Sequence, residues 1–288
     1  PKWDGNLKRY RLYGTPPIIV DANLDPAIDP NTGFFKSTTT SFWTPVADAP
    51  DGGEVKDGGA ASMLTLTNRK MYTYTGSTAA SNEDLTATAN VLHESNTAIT
   101  ATMLGDNTMS ASRRTLLLRW LRGVDVFDDD SDSDSFDTRR AMGDPLHTKP
   151  VLITYGGTAL LPDITLYAAT NEGHLYAVNS STGQEIFSFF PQELFENVAT
   201  LVDDTGSASH PYGLDGPLTT WVNDVNDNGV ILDNGGILES GEFAYLFQGM
   251  RRGGKNYYAI NVTDRAQPIL SWVIKGGSGV FSELAQTW

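Results

Sequence analysis

The stretch LYAVNSSTGQEIFSFF, residues 175 to 190, is answered about 80 residues later by YYAINVTDRAQPILSWV, residues 257 to 273. Both run aromatic, alanine, aliphatic, asparagine, then a polar turn, then a second strand with an aromatic residue near its end. The order predicts a strand hairpin that occurs twice. A recurring hairpin fits radial repetition of sheet blades, which is how a β-propeller limits its exposed strand edges. Two copies alone do not separate a propeller from other folds built of hairpins.

Short strand-like runs extend over most of the chain. They are β-branched or aromatic, and glycine, asparagine, aspartate or proline bounds each of them, which is typical of antiparallel strands. The clearest further runs are RYRLYG, PPIIVDA, SMLTLTN, KMYTYTG, PVLITYGG, TLYAATN and AYLFQGM. The sequence therefore predicts a mainly β protein.

One segment has helical periodicity instead. In SASRRTLLLRWLRGVD, residues 110 to 125, Ser110 or Ser112 is a candidate N-cap and Gly123 ends the pattern. The apolar residues at helical spacing are Leu116, Leu117, Trp120 and Leu121. We interpret the arginines as a solvated polar face, in preference to an anion site; they are Arg113, Arg114, Arg119 and Arg122.

Residues 76–112 are rich in threonine, serine, alanine and asparagine and poor in aromatic residues. This composition predicts a solvent-facing insertion with room for a short helix around DLTATANVLHES, residues 84 to 95. We assign no function to it.

Composition limits the function classes. The 288 residues allow one large all-β domain or two smaller ones. With 20 Lys and Arg against 35 Asp and Glu, the net charge of -15 repels phosphate backbones and anionic lipid. We therefore expect neither nucleic-acid binding nor direct membrane insertion. The absence of cysteine removes thiolate ligands and leaves oxygen-ligated cations as the natural metal partners.

The N-terminus gives a further expectation. The chain begins with Pro1, carries no charged-then-apolar leader, and has no apolar run near the 18 or so residues of a spanning helix. We interpret it as an internal piece or a processed product whose export signal lies outside these residues.

The stretch DVNDNGVILD, residues 224 to 233, has the donor spacing of a calcium loop. Side-chain oxygens occupy its first, third and fifth positions, at Asp224, Asn226 and Asn228. Gly229 permits a sharp bend at the sixth position, and the Val230 carbonyl follows at the seventh. To that point the pattern matches an EF-hand loop.

The end of the loop departs from an EF-hand. The twelfth position, where an EF-hand has a bidentate carboxylate, is Gly235, and Asp233 comes at the tenth instead. No helix is predicted on either side. The pattern favours a compact calcium loop on a β scaffold; the alternative is a turn that binds nothing, because Gly, Asn and Asp favour turns for their own reasons.

A second acidic patch, FDDDSDSDSFD, spans residues 127 to 137. It places carboxylates at alternate positions, at Asp128, Asp130, Asp132 and Asp134. A second cation site is one interpretation. Because the patch lacks the bending glycine, we favour a disordered or solvated acidic loop.

Catalytic signatures are few. The chain lacks a Gly-x-Ser-x-Gly elbow, a Gly-x-Gly-x-x-Gly loop and a Walker loop. Its histidines have no ligand or relay spacing, so we expect ordinary polar or packing roles; they are His93, His147, His174 and His210. Glycoside hydrolysis needs two carboxylates at a defined distance in space, so sequence spacing does not identify such a pair. GMRRGGKNYYAINVT, residues 249 to 263, is either a basic recognition turn or a glycine hairpin, and we favour the hairpin.

The order of motifs resembles the C-terminal region of PilY-family type IV pilus biogenesis proteins. The motifs that carry the likeness are KWDGNLKRYRL, TGFFKSTTTSFW, LLRWLRGVDV, RRAMGDPLHTKPVLITYG, LYAATNEGHLYAVNSSTGQEIFSFFP, YGLDGPLTTWVNDVNDNG and GMRRGGKNYYAINVTDRAQPILSWVI. The likeness runs from Trp3 over nearly the whole chain, and MGDPLH and MRRGGKNYYA are its most specific parts.

The resemblance implies a modified β-propeller, incomplete over these residues, with one or two helices in N-terminal insertions. We expect residues 1–140 to hold the strands, the Ser/Thr-rich insertion and the helix, and residues 141–288 to hold propeller blades with the calcium loop. The family acts at the pilus tip with minor pilins, in pilus extension and retraction and in adhesion to host or abiotic surfaces. It implies an exported protein at the pilus tip and cell surface of a Gram-negative bacterium, with a periplasmic or outer-membrane-associated pool.

By the same resemblance, Ca²⁺ is bound by Asp224, Asn226, Asn228 and the Val230 carbonyl, and Asp233 closes the site. The family loop often closes one residue earlier, where this chain has Leu232. Some members of the family carry an Arg-Gly-Asp tripeptide proposed to engage integrins; the nearest sequence in this chain is Arg252-Gly253-Gly254, so integrin binding does not transfer.

Two other function classes remain. AVNSSTGQEIF, residues 177 to 187, is similar to the tryptophan-docking repeat of quinoprotein dehydrogenases, with Asn179 for Asp and Phe187 for Trp. In those enzymes the repeat staples blades together, and the adjacent cysteines of many of them are absent here. We therefore expect no enzyme. The third class is a purely structural, calcium-stabilised adhesin.

Overall fold

The computed structural model describes residues 3–67, 69–76, 81–204, 210–233 and 236–285. The strands in these residues are β1 Asp4–Gly5, β2 Arg11–Tyr13, β3 Ile18–Val20, β4 Met71–Tyr72, β5 Ser81–Asp84, β6 Met142–Gly143, β7 Val151–Gly157, β8 Pro162–Ala169, β9 Leu175–Asn179, β10 Glu185–Phe189, β11 Leu218–Asn223, β12 Leu232–Asp233, β13 Ile237–Leu238, β14 Phe243–Gly249, β15 Asn256–Asn261 and β16 Ile269–Lys275.

Helical segments are few and short. The α-helices are α1 Gly59–Ser62, α2 Ala111–Leu121 and α3 Val198–Asp203. Short 3₁₀ segments occur at Val46–Asp48, Thr88–Asn90, Gln192–Asn197, Arg251–Gly253 and Gly279–Phe281. Over the described residues, every helix is too short to traverse a lipid bilayer. The predicted mainly β class is confirmed.

Two five-stranded sheets form the body of the protein. The first has the order β4-β10-β9-β8-β7 and the second the order β11-β14-β15-β16-β5. Neighbours are antiparallel except for β4 and β10, which run parallel. The predicted repeat is confirmed as two hairpins, β9–β10 and β15–β16, one inside each sheet. The sheets do not close into a barrel, and the propeller stays a prediction.

The N-terminal half contributes a strand to each sheet. β4 pairs with β10, and β5 pairs with β16. Three two-stranded pairs complete the pattern: β1 with β6, β2 with β3, and β12 with β13. The division of the chain at residue 140 stays a prediction.

The main hydrophobic core lies between the two sheets. Phe189 of the first sheet and Tyr258 of the second meet with their ring centroids 6.0 Å apart, and both are fully buried. The hydroxyl of Tyr155 on β7 donates to the carbonyl of Val262, just after β15, at 2.6 Å. Burial of large rings supplies most of the stabilisation, and the buried hydroxyl has the partner that burial requires.

The N-terminal segment covers the other face of the first sheet, where Trp43 packs on the 177–187 repeat. A Cβ on Gly183 would lie 2.6 Å from Cγ of Trp43, so only glycine allows this contact. The Trp43 Nε1 donates to the carbonyl of Ser180 at 3.0 Å. Asn179 orders the same turn by accepting from the Ser181 N–H at 2.9 Å. Trp43, from a distant segment of the chain, therefore packs against the turn of the repeat.

The outer face of the second sheet carries a row of aromatic side chains. Alternate residues of β14 point outward, and β11 and β16 extend the row on either side; its members are Trp221, Phe243, Tyr245, Phe247 and Trp272. Centroids of neighbouring rings lie 4.7–6.4 Å apart. Trp221 is 56% exposed and Trp272 is 37% exposed. This face, which we call the aromatic face, is uncovered by the described residues.

Helix α2 confirms the periodic pattern read from the sequence. Ser110 is the N-cap, and its hydroxyl accepts from the Arg113 N–H at 3.2 Å. Gly123 follows the helix with φ of 89°. The buried side chains are Leu117, Leu118, Trp120 and Leu121, whereas Leu116 is only partly buried.

The interpretation of residues 76–112 as a solvent-facing insertion is wrong for its apolar residues. Leu85, Leu92, Ile99 and Leu104 are buried in the main core. The expected short helix is also wrong, since only the 3₁₀ turn at Thr88–Asn90 forms. The buried Asn90 explains this, because its amide donates to the Asp84 carbonyl at 2.9 Å, a local bond that competes with a helix.

Candidate metal centre

The loop of residues 224–231 lies at the seam between the two sheets. It leaves the edge strand β11 of the second sheet and packs against β7, the edge strand of the first. At its start, Asn223 Nδ2 donates to the Gly241 carbonyl at 2.7 Å. At its end, the buried Ile231 donates its N–H to the Thr154 carbonyl of β7 at 3.2 Å. Each arm of the loop is thereby held in place.

The side-chain oxygens of the loop turn inward. The Asn228 N–H donates to Asp224 Oδ1 at 3.1 Å and to Asn226 Oδ1 at 3.0 Å, so these two oxygens face one point. Gly229 N–H donates to Asp224 Oδ2 at 2.6 Å, and Val230 N–H to Asn228 Oδ1 at 2.9 Å. Carboxylate and amide oxygens each carry two lone pairs. The donor set therefore fits a hard cation such as Ca²⁺.

Two residues of the loop adopt left-handed backbone conformations. Asp227 has φ of 57° and Gly229 has φ of 81°. Glycine takes this conformation without strain, and aspartate takes it more readily than most residues. The bend that the sequence assigns to Gly229 is therefore present.

The closing ligand of the loop stays a prediction. Asp233 lies in β12, where its backbone pairs with Ile237, and its side chain lies outside the described part of the structure. The carbonyl of Leu232, the alternative closing group, faces β7, since it lies 3.2 Å from where a Cβ on Gly156 would be.

The acidic patch forms a series of turns, and Asp130, Asp132 and Asp134 are exposed to solvent. Oxygens of Asp128, Asp130 and Asp132 lie within 4.8 Å of one another. Asp134 turns away and accepts from the Phe136 N–H at 2.9 Å. Three of the four carboxylates singled out from the sequence thus come together. Burial, followed by the charges of Asp130 and Asp132, raises the pKa of Asp137 at the end of the loop.

Three distant motifs meet at a carboxylate that the sequence did not single out. Asp215, from YGLDGP, is completely buried. His147, from MGDPLH, lies with Nδ1 at 2.7 Å from its Oδ1, and Arg251, from MRRGG, lies with Nη1 at 3.5 Å from its Oδ2. The motifs most specific to the resemblance therefore share one ion-pair cluster, which we call the Asp215 cluster. Their separation along the chain hides this contact from sequence patterns.

The Arg-Gly-Gly turn is a hairpin connection, as predicted. Gly249 pairs with Tyr257 across the antiparallel strands β14 and β15. A Cβ on Gly253 would lie 1.8 Å from the carbonyl oxygen of Gly213, so glycine is required for this backbone approach. Arg252 Nη1 donates to the Tyr212 hydroxyl at 3.0 Å. The turn thus packs on the segment that carries Asp215.

The other histidines have packing or local roles. His210 stacks on Trp3 with centroids 4.2 Å apart, and His93 accepts from the Ser95 N–H at 3.1 Å. His174 is 1% exposed and lies against the rings of Tyr176 and Phe190. Burial lowers the pKa of His174 well below its ordinary value, and nearby Arg69 and Arg139 lower it further.

The buried His174 predicts a pH dependence of stability. Because the pKa of His174 is lowered in the folded protein, the imidazole binds a proton in the unfolded chain at pH values where it stays neutral in the folded chain. This contribution to the free energy of unfolding is complete above pH 6.5 and falls by up to about 1.4 kcal/mol per pH unit below it. Urea unfolding at several pH values between 5 and 7.5 gives the free energy of unfolding as a function of pH. This free energy should change less steeply with pH in His174→Gln than in the wild type. The exposed control His93→Gln should keep the wild-type slope, and an unchanged slope in His174→Gln would contradict the prediction.

Comparison with known proteins gives one partial match. A stretch of 107 residues is 31% identical to the type IV pilus biogenesis factor PilY1 homolog of Xylella fastidiosa (strain Temecula1 / ATCC 700964). The stretch covers 37% of this chain and 8% of that protein, so the match spans under a tenth of the relative's length. No family model and no solved structure matches the chain. The chain is thus similar in part to a pilus biogenesis factor.

Proposed function

We propose that this chain is a calcium-binding, non-catalytic region of a type IV pilus protein, exported and carried at the pilus tip and cell surface. The partial match to a pilus biogenesis factor supports this proposal. The meeting of the MGDPLH, YGLDGP and MRRGG motifs at Asp215 supports it further, because motifs that share one buried cluster form a structural unit.

We propose further that the two sheets are blades of a modified propeller. Each sheet contains one copy of the repeated hairpin. The contact of Trp43 with Gly183 is consistent with the stapling role of the tryptophan-docking repeat, which concerns architecture and carries no chemistry. The aromatic face of the second sheet has the character of a surface that packs on another blade.

The inward oxygens of the 224–231 loop are the observation that carries the calcium assignment. Asp224, Asn226, Asn228 and the Val230 carbonyl would hold the ion, and Asp233 would complete the set. Bound Ca²⁺ supplies positive charge that neutralises Asp224 and holds these oxygens together. The two anchors, at Asn223 on β11 and at Ile231 against β7, transmit that order to the seam between the sheets.

The free energy of calcium binding at such a site is large enough to order the 224–233 loop. Extracellular calcium modules have dissociation constants of about 10⁻⁴ to 10⁻³ M. At tenfold excess calcium, binding stabilises the fold by about 1.4 kcal/mol. This energy orders a loop without deciding whether the protein folds. We propose that the ordered loop favours the surface that engages minor pilins, or a host or abiotic surface, and so affects pilus extension and retraction.

Replacing Asp224 by alanine is expected to remove one bound Ca²⁺ per chain, because the carboxylate accepts both N–H groups that shape the loop. Calorimetric titration with calcium chloride measures the stoichiometry. The control is Asp227→Asn, which changes the same charge at a position outside the ligand spacing and should keep the ion. Equal calcium uptake by Asp224→Ala and the wild type would reject the assignment.

The pilus role is tested separately, in the organism that encodes the chain. The parent gene carrying Asp224→Ala should give a calcium-dependent change in the number of surface pili, relative to Asp227→Asn. An unchanged number of pili combined with lost adhesion would instead indicate the purely structural adhesin. A quinone-dependent dye-reduction assay should show no activity, and activity above background would overturn the non-catalytic proposal.

A further inference from the structure

We propose that the loop between Val124 and Thr138 is a second binding site for a hard divalent cation, of the calcium class, held by Asp128, Asp130 and Asp132. This site is separate from the loop at residues 224–233 and does not rest on the pilus function.

The distances between the carboxylates fit a single ion. Oxygens of Asp128, Asp130 and Asp132 lie within 4.8 Å of one another. Calcium–oxygen distances are about 2.3–2.6 Å, so two ligands on opposite sides of one ion lie about 5 Å apart. Three negative groups at this separation repel one another unless positive charge lies between them.

The base of the loop holds a buried carboxylate with an unused oxygen. An antiparallel bridge between Val124 and Thr138 closes the neck, where Asp125 N–H donates to the Asp137 carbonyl at 3.1 Å. Asp125 is 3% exposed, and its Oδ2 accepts from the Asp129 N–H at 2.9 Å, so its carboxylate reaches into the loop. Its Oδ1 is buried without a hydrogen-bond partner, as is Oδ1 of Asp137. A buried carboxylate oxygen of this kind is costly unless a cation or proton meets it.

Among the described residues, the arginines next to Asp128, Asp130 and Asp132 have carboxylate partners elsewhere. Three of them lie next to the loop, and each pairs with a carboxylate outside it. These pairs are Arg119 with Glu94, Arg139 with Glu172, and Arg140 with Asp48. The loop therefore offers a concentrated negative charge to a small ion from solution.

The backbone of the loop makes a sharp bend although the patch lacks the glycine found at this position in the 224–233 loop. Ser133 takes the position of Gly229 with φ of 75°, and Ser131 takes that of Asp227 with φ of 61°. The Ser133 N–H donates to Asp128 Oδ1 at 3.0 Å, as Gly229 N–H does to Asp224. With this register, Asp137 corresponds to Asp233.

The test is calcium titration calorimetry on the full chain carrying Asp224→Ala, which isolates the second site. One Ca²⁺ per chain should remain, and adding Asp130→Asn with Asp132→Asn should remove it. The matched control is Asp129→Asn, which removes one charge from the same loop outside the ligand spacing and should keep the ion with an affinity changed less than threefold. Magnesium chloride in place of calcium chloride should bind at least tenfold more weakly.

Two outcomes would overturn the proposal. Unchanged calcium stoichiometry in the Asp130→Asn and Asp132→Asn variant would exclude these two residues as ligands. A loss of calcium affinity in Asp129→Asn as large as in that variant would show that the loop attracts calcium only through its net charge. If the double variant does not fold, the single Asp132→Asn variant, which changes an exposed side chain, takes its place in the titration. Its calcium affinity should be at least tenfold lower. Failure at the 224–233 loop would appear separately, as no difference between Asp224→Ala and the wild type.

Discussion

Replacing Glu185 by alanine is expected to lower the free energy of unfolding by about 3–5 kcal/mol, because it leaves a buried guanidinium without its counter-charge. Glu185 Oε2 lies 2.6 Å from Arg69 Nε, and the side chains are 7% and 2% exposed. Arg69 also donates to the Arg122 carbonyl at the end of α2. The pair thus joins the first sheet to the helix through one residue that solvent does not reach.

Urea unfolding at pH 7 measures this loss. The control is Asp48→Ala, which breaks the exposed pair with Arg140 and should cost no more than about 1 kcal/mol. Similar losses in the two variants would show that burial of the Arg69 pair contributes nothing, contrary to the expectation.

Replacing Asp215 by alanine is expected to cost about 3 kcal/mol, the lower end of the range for a broken buried pair. Asp215 itself is completely buried, but His147 is 34% exposed and Arg251 is 21% exposed, so water compensates part of the lost charge. The loss should include local order, since the Asp215 cluster ties the segments after β6 and β14 together. Hydrogen exchange at residues 144–148 and 249–254 should therefore accelerate.

A comparison with Asp215→Asn separates charge from shape. The amide keeps the size of the side chain and an acceptor for His147, so it should recover part of the stability that alanine loses. The exposed control is Asp203→Ala, whose partner Arg113 is also exposed, with an expected cost under about 1 kcal/mol. A loss in Asp215→Ala no larger than that in Asp203→Ala would contradict the assignment.

Features that depend on near neighbours in the chain are the ones that the sequence predicts well. The helix at 111–121 follows from its N-cap and apolar spacing, and the two hairpins follow from a polar turn between apolar runs. The bend at Gly229 is likewise local. Each of these depends on residues within a few positions of one another, so one sequence contains the whole signal.

Features that depend on distant pairs are not accessible in the same way. His147 and Asp215 are 68 positions apart, and neither has a neighbour that indicates the other. The insertion at 76–112 looks polar in composition, yet four spaced aliphatic residues bury themselves in a core supplied by both sheets. The conformation of Ser133 is a further example, because only the surrounding loop stabilises a left-handed serine.

The aromatic face gives the protein an optical signal of its own. Trp221 and Trp272 are partly in water, whereas Trp43 and Trp120 are 5% and 2% exposed. Indole emission moves to shorter wavelengths when water leaves the ring. A partner that covers the second sheet therefore shifts the fluorescence to the blue, and unfolding, which wets Trp43 and Trp120, shifts it to the red.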